Sequence, residues 1–258
     1  MKSLIKKFAN TELGLTLRNS FNFKPVSFRH YEKKYSITVS DAFLWRTDSG
    51  YTTKFKYSDI LNLFYKIKDS WIEFHFYSKN NKLIKILKIE NLNLCNEIDI
   101  NPELLNNLKD YGVFYLYHFV KKSENTKESF VISNRCYLGY SINQNLYSFV
   151  HGNILAKSYA INKNEKFLPD IVKMSLFKNQ NYTIQKFFNN FDKNELAFVN
   201  PTSKIIYFSI ENKNYELKPR SALLIETSKS ILSVKSNCLF FRPTVFSYKD
   251  KYLDVHHG

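Results

Sequence analysis

Trp71 to Tyr77 reads WIEFHFY, and its alternation leaves little choice but a β-strand. Ile72, Phe74 and Phe76 fall on one face, with Trp71, Glu73, His75 and Tyr77 on the other, because successive strand side chains point to opposite sides. SKNNK (78–82) then supplies turn residues, and Leu83 to Ile89 resumes the strand pattern, so the stretch predicts a hairpin. The same rhythm runs upstream. Ile37, Val39, Phe43 and Trp45 alternate with small polar residues, Thr47-Asp48-Ser49-Gly50 makes a turn, and Tyr51 to Tyr57 reads as the partner strand. Val113 to Val120 (VFYLYHFV) is apolar throughout, as a central strand buried on both faces requires.

Short strands continue after about Ile171, at 182–188, 195–199, 204–210, 215–218, 222–227, 231–234 and 239–242, separated by Asn-, Pro- and Lys-rich turns. IEFHFYSKNNKLIKILKI and IIYFSIENKNYELK share a strand, Asn/Lys turn, strand pattern, a weak internal repeat. The fold class expected is therefore mainly β: two β-sandwich-like units, open to a duplication, with one or two short helices. The expected division is an N-terminal arm over 1–35, a first sandwich over 36–155, a linker over 156–170 and a second, smaller sandwich over 171–258. Asn101-Pro102 followed by ELLNNLKDYG carries helix start and stop signals. ILNLFYKI after Asp59 reads as a helical turn or an irregular edge, and the tail SYKDKYLDVHHG as irregular. Near the N-terminus, Leu4, Ile5 and Phe8 share one face of a short amphipathic helix, either a membrane-surface anchor or a segment docking on the body.

The formal charge of +15 raises the question of an anionic partner. Lysine far outnumbers arginine, and bidentate phosphate recognition favours arginine, so nucleic acid is not the expected partner. Only six glycines are present, with no GxGxxG or Walker A pattern, which sets nucleotide binding by those routes aside. Cys95, Cys136 and Cys238 are odd in number and far apart, which suits free thiols in a reducing compartment, hence a cytoplasmic location. No apolar run has the length of a transmembrane helix, and the N-terminus lacks the apolar core of a signal peptide.

The densest mixture of reactive and aromatic residues is Ile132 to Asn153. Four chemistries suggest themselves in and around it. Cys136 with His151 is a candidate nucleophile and base, with Arg135 beside the thiol. His75, His118 and His151 are candidate zinc ligands converging from strands, though none has a local metal spacing. Asp41, Asp48, Glu73 and Asp110 are candidate carboxylates for glycoside chemistry, but nothing in the sequence pairs them. The least strained option is a recognition surface. Trp45, Tyr137 and Tyr140 stack on a ligand, Arg46 and Arg135 hold its charge, and His151 and Asn153 hydrogen-bond to it. Gly139 and Gly152 permit a bulge or a close ligand approach there.

The expected function is accordingly a non-catalytic binding module for a carbohydrate-like or anionic ligand, or for a protein partner, with no cofactor and no metal. Two alternatives stand beside it. One is an enzyme acting on a sugar or other small metabolite through Cys136 and His151. The other is an oligomeric structural or assembly protein whose sheets pack across subunits.

Overall fold

The structure is a computed structural model that describes residues 2–9, 11, 13–14, 17, 37–120, 131–134, 136–143, 145–152, 155–160, 170–172, 174–175, 179–185, 191–229, 231–238 and 241–258. The chain is mainly β. A short helix, α1 (Lys2–Ala9), comes first, with Leu4, Ile5 and Phe8 exposed. The first-half strands are β1 (Ile37–Asp41), β2 (Phe43–Arg46), β3 (Tyr51–Ser58), β4 (Ser70–Ser78), β5 (Leu83–Ile89), β6 (Cys95–Ile100), β7 (Tyr111–Val120), β8 (Val131–Asn134), β9 (Tyr137–Ile142), β10 (Ser148–His151) and β11 (Leu155–Ala160). The second half adds β12 (Gln180–Gln185), β13 (Lys193–Val199), β14 (Ile206–Ile210), β15 (Lys213–Leu217), β16 (Ala222–Thr227), β17 (Ile231–Ser236), β18 (Thr244–Lys249) and β19 (Tyr252–His257).

Hydrogen bonding gathers these strands into small sheets and not into two explicit sandwiches. Four sheets have four strands, in the orders β2-β7-β4-β5, β10-β9-β3-β6, β12-β17-β14-β15 and β16-β13-β18-β19. A fifth has the order β11-β1-β8, with β1 antiparallel to β11 and parallel to β8. The two halves repeat one pairing scheme. In the first, β2 pairs β7, β3 pairs β6 and β4 pairs β5, like a long hairpin folded on itself. In the second, β12 pairs β17, β13 pairs β16 and β14 pairs β15. Then β9 and β10 add beside β3 as β18 and β19 add beside β13. Hairpins β4–β5 and β14–β15, the two segments of the internal repeat, hold equivalent places.

Aromatic rings fill the first half. Phe55 on β3 meets Phe43 at 4.8 Å, Phe114 at 5.0 Å and Phe74 at 5.7 Å between ring centroids. A second cluster centres on Phe198, Phe208 and Phe241. Strand β13 joins the two. Leu196 and Phe198 belong to the second cluster, while Ala197 belongs to the first, so strand alternation buries both faces.

Several local expectations change. Ile60–Tyr65 is a helix, α2, whose first turn is capped by Asp59 accepting from Asn62 N at 3.0 Å. The helix expected after Asn101-Pro102 shrinks to one 3-10 turn at Glu103–Leu105, because Asn106 and Asn107 take positive φ and end it. Strand β11 runs into the start of the stretch read as a linker, and the stretch read as an irregular tail forms most of the β18–β19 hairpin. Among the described residues, no helix is long and apolar enough to cross a membrane.

Candidate functional site

The expected recognition surface separates into buried and exposed residues. Trp45 is fully buried, and its Nε1 donates to the Tyr77 carbonyl at 2.9 Å. Tyr140 is buried too, with its hydroxyl donating to Leu44 O at 2.9 Å and its ring 4.8 Å from that of Phe246. Neither presents a face to solvent. Arg135 and Asn153 lie outside the described residues.

Arg46 is 2% exposed and bridges the two halves of the chain. Its Nε and Nη2 donate to the two carboxylate oxygens of Asp48 at 3.0 and 2.7 Å, a bidentate pair. Its Nη1 donates to Glu195 Oε2 at 2.6 Å and to Tyr248 OH at 3.2 Å. The guanidinium also lies over the rings of Tyr51 and Phe246. Burial alone would lower its pKa, but the hydrogen bond to Asp48 and the neighbouring groups raise it overall. Glu195 balances in the same way. Burial opposes its charge, while the Tyr248 hydrogen bond and Arg46 hold its carboxyl below the ordinary range. This is a closed, satisfied network between β2, β13 and β18.

Cys136 is buried, and burial, with the nearby Asp41 charge adding, pushes its thiol well above the ordinary range. A nucleophile needs the opposite shift. His151 is exposed and turned elsewhere: its Nδ1 lies 2.8 Å from Gly152 O and 3.3 Å from His257 Nε2. Burial, and then His151, push His257 down to about 4. The three candidate zinc ligands are also engaged separately. His75 Nε2 pairs with Glu73 Oε2 at 2.9 Å, His118 Nε2 lies between Ser70 Oγ and Asp59 Oδ1, and His151 faces His257. Among the described residues, no group of three or more His, Cys, Asp or Glu is placed to hold a metal. Gly139 and Gly152 serve the protein itself, since a Cβ would meet the Phe149 ring at the first and the Asp41 carboxylate at the second.

What the structure does bring together is a cleft of about 660 Å³ at one end of the β6–β3–β9 sheet, beside α2. Tyr137 contributes a ring that is 59% exposed, and Phe64 on α2 one that is 69% exposed. Lys56, Ser58, Asn96 and Glu97 add polar groups, while Tyr57 and Cys136 line its buried part. Strand register assembles it: Lys56 on β3 pairs with Tyr137 on β9 and with Glu97 on β6. Glu97 lies 4.0 Å from the Lys56 ammonium, a loose contact between groups that are about half exposed. Of this set, sequence reasoning found Cys136 and Tyr137. Lys56, Phe64 and Asn96 carried no distinguishing signal, since each sits on a different element in an ordinary pattern.

The cleft also separates the cysteines. Cys95 is exposed at its rim, whereas Cys136 and Cys238 are buried with their thiols pushed up by burial. One thiol per chain is therefore expected to react with Ellman's reagent under native conditions and three after denaturation. Rapid native reaction of a second thiol would contradict the placement of Cys136 and Cys238.

No family model matches this sequence, and no curated protein does.

Proposed function

We propose that the chain is a non-catalytic binding module built from two duplicated β-sandwich units, with a ligand site in the first-half cleft. The shared pairing scheme supports the duplication, and the ring contacts between β3 and strands β2, β4 and β7 support face-to-face sheets. Four four-stranded sheets also match the strand count of a four-bladed propeller. A blade, however, is a meander of consecutive strands, and no sheet here runs through four in a row.

The single observation that carries the site is the meeting of Phe64, Tyr137 and Lys56 in one cleft. Two exposed rings offer flat apolar faces, and Lys56, only loosely paired with Glu97 at 4.0 Å, offers a positive charge beside the neutral donors of Ser58 and Asn96. That chemistry suits a carbohydrate-like ring bearing an anionic group. The buried, undissociated Cys136 thiol weighs against the alternative of a cysteine enzyme. Free cysteines accord with a reducing, cytoplasmic setting. A self-assembling protein is a second reading, favoured by the exposed Leu83 and Ile86 on β5, which among the described strands pairs only with β4.

Glucuronate and glucose titrated by calorimetry test the first reading. Glucuronate is expected to bind, and Tyr137→Ala and Lys56→Gln are each expected to weaken it about tenfold without changing the fold. Undiminished affinity in both variants would remove the cleft from the ligand's path.

A further inference from the structure

A separate polar groove of about 310 Å³ lies on the second half, over the β15-β14-β17 face. Asn179, Tyr207, Ser209, Asn214, Lys235 and Asn237 line it, with the rings of Phe208 and Tyr215 beneath. The strand register explains why distant residues meet there. Ser209 on β14 pairs with Asn214 on β15 and with Lys235 on β17, so three polar side chains stand in one row across the sheet. Tyr207 stands two residues along β14 on the same face, and Asn237 two residues beyond Lys235. The groove therefore crosses three strands. A peptide adding itself as a further strand would instead follow a sheet edge.

The lining chemistry narrows the ligand. Three carboxamides and the hydroxyls of Tyr207 and Ser209 both donate and accept hydrogen bonds, and no carboxylate takes part. Among the described residues, the Asn237 carboxamide oxygen is buried and has no hydrogen-bond partner. An unmet buried acceptor is costly, and a donor from a ligand relieves it. An anionic group such as a carboxylate offers no such donor and would be repelled by that oxygen. Tyr207, 57% exposed, adds an aromatic face. Hydroxyls that each donate and accept, set around a C–H face that packs on a ring, are the features of a sugar.

We propose that this groove binds an uncharged saccharide unit, giving the chain a second ligand site that does not depend on the first-half cleft. Ligands displaying several sugars would then engage both halves at once, with the gain in apparent affinity that linked sites give. Lys235 donates to a hydroxyl at the rim.

The test is a titration of the nitrogen-15-labelled full chain with glucose, galactose and N-acetylglucosamine, with glucuronate as the charged counterpart. At least one neutral sugar is expected to move the side-chain amide signals of Asn179, Asn214 and Asn237. Tyr137→Ala is expected to leave those shifts intact, which separates this site from the first. Tyr207→Ala and Asn237→Ala are each expected to weaken binding about tenfold. Tyr207 is exposed, so its replacement keeps the test sound even where Asn237→Ala perturbs folding. No shift with any of the three neutral sugars, shifts with glucuronate alone, or full affinity in Tyr207→Ala would each overturn the proposal.

Discussion

Replacing Arg46 with alanine is expected to cost about 3–5 kcal/mol of folding stability, read as a fall in the urea midpoint at neutral pH. The size follows from what remains behind. Glu195 and Asp48 stay largely buried after the guanidinium is gone, and among the described residues Glu195 keeps the Tyr248 hydroxyl and the half-exposed Lys193 as partners. Removing one member of a buried pair leaves an uncompensated charge, a far larger effect than breaking a surface ion pair. The loss should also depend on pH in a definite direction. Glu195's carboxyl is held below its ordinary value of 4.5 in the folded chain. The stability it contributes is thus fully present above that value and is lost as pH falls through the lower folded value. In the alanine variant the carboxyl lacks its cation, so this contribution is reduced wherever the carboxyl is ionised. The gap between wild type and variant should therefore be widest near pH 7 and narrow toward about pH 3. An equal gap at both would mean that Arg46 acts by packing over Tyr51 and Phe246, not through its charge.

The same residue shows where the sequence stops informing. Trp45-Arg46 stood out as an aromatic and a cation side by side, which suggests a ligand site. Arg46's partner Glu195 is distant along the chain, and a distance in sequence hides a contact in space. Strands were legible where alternation marks an apolar face, as in WIEFHFY, or where apolar residues recur densely after a turn, as in LIKILKI. Cys95–Ile100 escaped because only Ile100 in it is fully buried, so no apolar alternation marks it. The β18–β19 hairpin escaped because its Lys-Asp-Lys turn reads as a solvated tail, although Asp250 adopts the positive φ that a tight turn needs. The shared pairing scheme was visible in the sequence only at its most regular hairpin, β4–β5 against β14–β15. Elsewhere the two halves share strand pairing and not residues. Exposed and buried tyrosines look alike in sequence, so Tyr137 and Tyr140 were singled out together, although the first is exposed and the second buried.

Phe114→Ala should be the most damaging change within the first-half core, at about 3–5 kcal/mol. Phe114 lies on β7, the strand between β2 and β4, and is fully buried. Its ring meets Phe55 edge-on at 5.0 Å, Phe43 stacked at 5.2 Å and Phe76 at 5.3 Å between centroids. Truncation removes the apolar surface of one ring and also strips these neighbours of contacts, because rings wedged on three sides cannot collapse into the gap. Phe114→Leu, which fills most of the volume, should cost much less. Phe64→Ala, at an exposed position on α2, should stay within about 0.5 kcal/mol and so serves as the control. The same packing bears on ligand binding. The interior of the first half is filled by protein rings, and the candidate cleft there lies at a sheet end beside α2. A cavity opened at Phe114 would be lined by phenylalanines and dry, so benzene should bind it and restore part of the lost stability. If benzene stabilises the variant no more than wild type while the midpoint still falls, the core has repacked around the gap and the rigid-ring account is wrong.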